Sequence, residues 1–324
     1  MLDAVLPYVL IVIWFVLLIK WADFLVDGAS SLAKRLRISD LVIGLTIVAF
    51  GTSAPELVVN IIGSVNDAND MVMGNIIGSN IANILLILWL TACVKSLSIT
   101  KGTVRKEIPF ALLGALVLAV MINDEMFAMA TSSSLSWADW IILLCFFIIF
   151  MYYTIEIVKS RPAWEDDNDT ISILPTRKST LMVIGGIAWL ARWGNMVVTN
   201  ATILATMRWW SEKLIWLTIL AVGTSLPELA TSLVAVTKSN TNIAVGNIVG
   251  SNIFNVFFVL WVTALISPVA FNSANNLDIL INLLTHIFLF GFLFIGKRHT
   301  LQRWQGAVFV WLYIAFLAVM FWMG

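Results

Sequence analysis

Gly51-Thr-Ser-Ala-Pro-Glu-Leu57, followed by Gly74-Asn-Ile-Ile-Gly-Ser-Asn-Ile-Ala-Asn83, is written a second time as Gly223-Thr-Ser-Leu-Pro-Glu-Leu229 with Gly246-Asn-Ile-Val-Gly-Ser-Asn-Ile-Phe-Asn255. The offset is 172 residues throughout. Between 51–83 and 223–255, 14 of 33 positions are identical, and most of them are Gly, Pro, Glu, Ser, Thr or Asn rather than the aliphatic residues that fill lipid-facing helices. A duplicated polar vocabulary points to duplicated chemistry. Each copy sets one glutamate, Glu56 or Glu228, inside an apolar stretch where an unpaired charge is costly, so the two read together as a functional site.

The surroundings of the motif define the solvent. The 324 residues are 60% apolar and 12% charged, with a mean hydropathy of +0.95, which leaves too little polar surface for a water-soluble globule. Lipid is the expected environment. Basic and acidic residues balance at 19 each and no basic patch interleaves with aromatics, so nucleic acid is not an expected partner. Cys93 and Cys145 lie in separate apolar runs without metal-ligand or disulfide spacing and read as inert thiols. Leu2 to about Leu32 is too long for a signal-peptide core and lacks a basic leader, so it reads as a permanent first span.

At about 20 apolar residues per crossing, the chain divides into ten spans near 4–30, 41–65, 71–93, 105–122, 137–158, 180–205, 213–237, 243–266, 277–296 and 303–323. An outside N-terminus places 15 of the 19 basic residues in cytoplasmic loops, as the positive-inside rule requires, and predicts N-out and C-out. Five spans separate each motif from its copy, so the halves must cross in opposite senses. The expected fold is an all-α integral membrane protein of ten transmembrane helices, built as two inverted five-helix repeats. The first repeat is 1–158, a cytoplasmic linker is 159–179 and the second repeat is 180–324. The linker carries Glu165-Asp-Asp-Asn-Asp169, which lacks the alternating ligands and glycine of an EF-hand loop and reads as a solvated connection.

Proline cannot donate a backbone hydrogen bond, so Pro55 and Pro227 are expected to break their spans and release the carbonyls of Gly51 and Gly223. Irregular backbone at membrane depth is tolerated where it lines a protein-enclosed or wet cavity. Thr52 and Ser53 precede Glu56 by four and three residues and share its helix face, as Thr224 and Ser225 do with Glu228. Asn75, Ser79 and Asn83 recur every four residues beside a Gly74-x-x-x-Gly78 pair suited to close helix approach; Asn247, Ser251, Asn255, Gly246 and Gly250 repeat the pattern. The set is all oxygen, with no cysteine or histidine, which suits calcium better than zinc or copper. Two glutamates balance one divalent or two monovalent cations, which is the basis of an antiporter.

These motifs resemble the two alpha-repeats of the cation/calcium antiporter superfamily, in its prokaryotic sodium/calcium exchanger form, over most of the chain. The resemblance implies four ion sites between helices two, three, seven and eight. It implies Glu56 and Glu228 as shared carboxylates, and Thr52, Ser53, Ser79, Asn83, Thr224, Ser225, Ser251 and Asn255 as side-chain ligands. Ala49 and Ala221 match positions that offer backbone carbonyls to sodium. Calcium and sodium would be transported rather than held as cofactors. No enzymatic chemistry is implied, and the location would be the plasma (inner) membrane of a prokaryote. Some relatives carry Asp at the position of Asn255, and its absence here speaks against potassium coupling. Relatives often have Gly where this chain has Trp89, Trp216 and Trp261, and Trp216 aligns internally with Gly44, so overpacking at these sites is expected.

Three further readings complete the sequence. Lys20 and Arg192 are repeat-related cations expected to snorkel or pair, with Asp23 available to Lys20. His286 in the ninth span reads as a packing residue. A calcium/proton antiporter and, in a different class, a cation-selective channel are the alternatives to a sodium/calcium antiporter that exports calcium by alternating access.

Overall fold

A computed structural model describes residues 2–127, 132–160, 173–206 and 215–323. The acidic run 165–169 lies outside the described residues. The described chain is mostly helix: α1 (Leu2–Leu36), α2 (Asp40–Thr52), α3 (Ala54–Val65), α4 (Asn69–Val94), α5 (Glu107–Met121), α6 (Trp137–Ser160), α7 (Thr176–Thr206), α8 (215–224), α9 (Leu226–Thr237), α10 (Thr241–Ile266), α11 (Asn276–Phe292) and α12 (Arg303–Met323). By length and composition α4, α6, α10 and α12 each suffice to cross a bilayer, and the bent pair α2–α3 makes a fifth candidate.

α4 and α10 are buried over 78% of their most apolar windows, against 17% for α6 and 33% for α12. Of these four helices, the motif-bearing α4 and α10 lie in the core and α6 and α12 form part of the wall. Glycine makes that core tight. A Cβ on Gly250 would lie 2.7 Å from the Ala49 Cβ and 2.8 Å from the Leu45 carbonyl oxygen, and one on Gly246 would lie 2.7 Å from the Leu41 oxygen. The Gly-x-x-x-Gly pair of α10 thus brings its backbone against α2, as the motif predicts.

The spans break at the prolines as expected, with the turn itself at Ser53 and Ser225, two residues before Pro55 and Pro227. α2 ends at Thr52, Ser53 takes φ −80° and ψ 6°, and Pro55 sits in the first turn of α3, where its missing N–H costs nothing. Ser225 repeats this geometry at φ −84°, ψ 6°. The two arms of the first break bend by 43°. The N–H groups of Ser53 and Ser225 bond the Ala49 and Ala221 carbonyls at 3.0 and 3.2 Å, while Pro55 and Pro227 stand at the i+4 positions of Gly51 and Gly223 and have no N–H to offer their carbonyls. Irregularity also appears as π-helical segments at Gly44–Val48, Asn83–Leu88, Ile215–Leu220 and Asn255–Val259. These fall at repeat-related places beside the motifs, where widened turns are commonly found at functional sites.

Two short antiparallel pairs not expected of an all-helical chain join the halves. β1 (Leu97–Ser98) pairs with β4 (Thr300–Leu301), and β2 (Ser133–Leu135) pairs with β3 (Val269–Phe271). Their two or three residues are too few to register as hydrophobic alternation.

The three tryptophans meet different surroundings, and the indole N–H groups of Trp89 and Trp261 are buried without a partner. Trp89 lies directly against Gly306, where any side chain would collide with its ring. Trp216 borders a cavity of about 440 Å³ together with Asp67, Asp70 and Phe271, and Trp261 packs on Phe258 with ring centroids 5.7 Å apart. Asp23 is not committed to Lys20. With Asp27 it pairs with Lys238, both contacts at 2.6 Å, tying α1 to the end of α9.

Candidate functional site

Glu56 and Glu228 occupy the first turns of α3 and α9, both completely buried. The two breaks face each other, and the hydroxyls cross between halves. Ser53 Oγ donates to Glu228 Oε1 at 3.1 Å, and Ser225 Oγ donates to Glu56 Oε1 at 3.2 Å. Ser251 Oγ adds a third contact, donating to Glu228 Oε1 at 3.0 Å. Each carboxyl is thus held through one oxygen, Oε1.

A second layer crosses in the same way. Thr52 Oγ1 donates to Asn247 Oδ1 at 2.9 Å, and Thr224 Oγ1 donates to Asn75 Oδ1 at 3.0 Å. Those asparagines are held from behind: Asn75 Nδ2 donates to Asn60 Oδ1 (2.7 Å) and the Glu56 carbonyl (3.4 Å), while Asn247 Nδ2 donates to Ser232 Oγ (3.1 Å) and the Glu228 carbonyl (3.3 Å). The Ala49 carbonyl lies 3.3 Å from Thr52 Oγ1; that of Ala221 accepts from Ser79 Oγ at 3.2 Å and lies 3.2 Å from Thr224 Oγ1.

The twelve candidate site residues are all 3% exposed or less, so none of them belongs to a surface patch. Ten belong to the carboxylate–hydroxyl–carbonyl cluster. Asn83 and Asn255, one turn beyond Ser79 and Ser251, bond instead to Asn252 and Asn80 across the repeat boundary, at 2.9 and 3.1 Å. The halves are not equivalent in every detail, since Ser251 bonds a carboxylate whereas Ser79 bonds the Ala221 carbonyl and contacts Thr224 Oγ1 at 3.3 Å.

The sequence motifs alone do not single out Asn60, Ser232, Asn80 and Asn252, and they leave His286 as a packing residue. Asn80 and Asn252 stand inside the duplicated motif and could have been singled out there; Asn60 and Ser232 occupy repeat-related polar positions. His286 gives no such signal, because its repeat partner is Gly114. It is a hydrogen-bonded member of the buried polar layer, 3.4 Å from Asn252 Nδ2, rather than a packing residue alone.

The chemistry follows from what has no protein partner. Glu56 Oε2, Glu228 Oε2, Asn83 Oδ1 and Asn255 Oδ1 are buried oxygens without a hydrogen-bond donor. Buried acceptors carry a desolvation penalty of about 1–3 kcal/mol each, more when charged, unless something positive meets them. Among the described residues no group of three or more His, Cys, Asp or Glu gathers as a permanent metal centre. Two carboxylates among neutral oxygens instead suit a hard cation that must also leave.

Paired buried carboxylates at two helix breaks, within a multi-pass helical chain, define an ion transporter of the membrane. Comparison with known proteins specifies which kind. The family model described as "Sodium/calcium exchanger protein" matches residues 6–156 and 178–322, and the chain belongs to that family. It is 34% identical to the Inner membrane protein YrbG of Escherichia coli (strain K12), over 97% of each chain. It is 28% identical to the Sodium/calcium exchanger MaX1 of Methanosarcina acetivorans, over 97% of this chain and 98% of the relative. Among solved structures it resembles the sodium-calcium exchanger NCX_Mj soaked with sodium and calcium, with a TM-score of 0.78, 30% identity and coverage of 97% and 98%.

Proposed function

We propose that this chain is a secondary active antiporter that exports calcium in exchange for external sodium by alternating access, from the plasma (inner) membrane of a prokaryote. The observation that carries the reading is the set of four buried, unpartnered acceptor oxygens on Glu56, Glu228, Asn83 and Asn255. In this reading they are completed by the hydroxyls of Thr52, Ser53, Ser79, Thr224, Ser225 and Ser251 and by the carbonyls of Ala49 and Ala221. Two negative charges match one calcium ion, and the neutral oxygens offer sodium a coordination that a bare proton would not need.

The proposed frame is ten transmembrane helices in two inverted repeats, 1–158 and 180–324, joined by the linker 159–179, with both termini outside. Three features support it. The serine–carboxylate bonds are reciprocal between the repeats. The π-helical segments recur at the repeat offset. β1 and β3 stand at equivalent positions of the two repeats, yet each pairs with a strand of the other half. Inverted repeats with broken helices at the midplane are the construction on which alternating access depends.

The test is calcium uptake into everted vesicles. Uptake should require sodium loaded on the opposite side, run against the calcium gradient and persist when a protonophore collapses the proton gradient. Calcium flux that follows its own gradient without sodium would identify a channel. Uptake driven by a pH gradient in sodium-free vesicles would identify a calcium/proton antiporter.

A further inference from the structure

Between the site and α11 runs a chain of amides whose orientation is dictated by a single backbone carbonyl. His286 Nδ1 lies 2.9 Å from the Asn282 carbonyl oxygen. A carbonyl only accepts, so Nδ1 carries the proton and, in the neutral ring, Nε2 is left as an acceptor. Asn252 must therefore turn its Nδ2 toward Nε2, at 3.4 Å, with a further contact from the same nitrogen to the Asn80 carbonyl at 3.5 Å. That choice aims Asn252 Oδ1 at Asn83, which answers with Nδ2 at 2.9 Å. The only remaining polar atom of Asn83 is Oδ1, buried and without a protein partner.

We infer that His286, Asn252 and Asn80 are positioning residues that hold the ligand asparagines carbonyl-first toward the cation; this rests on the ion-site reading above. An uncharged amide has a productive and an unproductive face. With Oδ1 forward it coordinates a cation, and with its NH₂ forward it repels one. Asn75 and Asn247 are fixed by Asn60 and Ser232, but Asn83 and Asn255 sit at the start of π-helical segments and depend on the crossed pair Asn252 and Asn80.

The two arms are unequal. On one side Asn252 is anchored by His286. On the other, Asn80 Oδ1 accepts from Asn255 Nδ2 at 3.1 Å while Asn80 Nδ2 has no partner, and Gly114 stands where a second histidine would be. The anchored arm makes Asn83 the better-ordered ligand of the two.

Calcium affinity of the purified chain, measured by isothermal titration calorimetry, separates this inference from the reading beneath it. Glu56→Gln must lose calcium binding; if it binds like the parent, the ion-site reading fails whatever the relay does. His286→Phe keeps ring volume and removes the acceptor, and should raise the calcium Kd about tenfold, the scale of one lost hydrogen bond. His286→Gln, whose Oε1 restores an acceptor, should recover most of that loss. In an Asn83→Ala background, His286→Phe should shift Kd by less than about twofold, because it acts only through Asn83. A tenfold shift in both backgrounds, or His286→Gln as damaging as His286→Phe, overturns the inference. The crossed arm gives the same reading without touching α11: Asn80→Ala should weaken calcium binding in the parent and be silent beside Asn255→Ala, and additivity there also overturns it.

Discussion

Replacing Glu228 by glutamine changes one atom and one charge. The Oε1 that accepts from Ser53 and Ser251 is kept, and an NH₂ takes the place of Oε2, which has no protein partner. Folding should therefore be spared, and the melting temperature of the ion-free protein should change little. Cation binding should not be spared. Removing one member of a buried charge pair costs about 3–5 kcal/mol, which corresponds to about two to four orders of magnitude in Kd, and the new NH₂ points its positive end at the ion. Glu56→Gln should behave alike, since Ser225 continues to meet Oε1. Two assays on one preparation decide the matter: calorimetric calcium titration of the purified protein, and radioactive calcium uptake into sodium-loaded vesicles. A calcium affinity within about threefold of the parent for either variant, with transport intact, would refute the assignment of that glutamate.

Ser251→Ala should weaken calcium binding more than Ser79→Ala, because Ser251 Oγ donates to a carboxylate and Ser79 Oγ to a backbone carbonyl. Hydrogen bonds to charged groups are worth about 1.5–3 kcal/mol against about 0.5–1.5 for neutral ones, so the ratio of the two Kd values reads the asymmetry directly. Gly250→Val should lower the melting temperature and expression, since even a Cβ there meets Ala49 and the Leu45 carbonyl within 2.8 Å; a parent-like melting curve would show that the α2–α10 contact can relax. Gly306→Val should fail in the same way, and Trp89→Ala should restore it if the clash with the Trp89 ring is the cause. No rescue would place the defect elsewhere.

The candidate site could be proposed from the sequence because its residue types are ones that lipid-facing helices seldom use, and they are spelled twice. Glu56, Ser53 and their copies needed no structure to be singled out. The pairing was not readable: nothing in the spacing of Ser53 and Glu56 says that each serine serves the other half's carboxylate, because that depends on how α3 and α9 face one another. Pro55 announced the break but not its exact place, since the turn falls at Ser53 and the proline opens the new helix. His286 was invisible as a polar participant, having no polar repeat partner and no motif, and its hydrogen bonds appear only where α11 packs against the amide layer. The short strands lay below the length at which alternation can be seen.

The reciprocal serine bonds mean that neither half of this chain is chemically closed. A polypeptide ending after 158 would bury Glu56 without the Ser225 hydroxyl that meets it, while carrying a Ser53 whose acceptor belongs to the missing partner. The second half alone would have the mirror deficit. Each is a lock made with the other's key, so two separately translated halves should be unstable apart and should recover together, and damage at either serine should be felt first at the carboxylate of the other half.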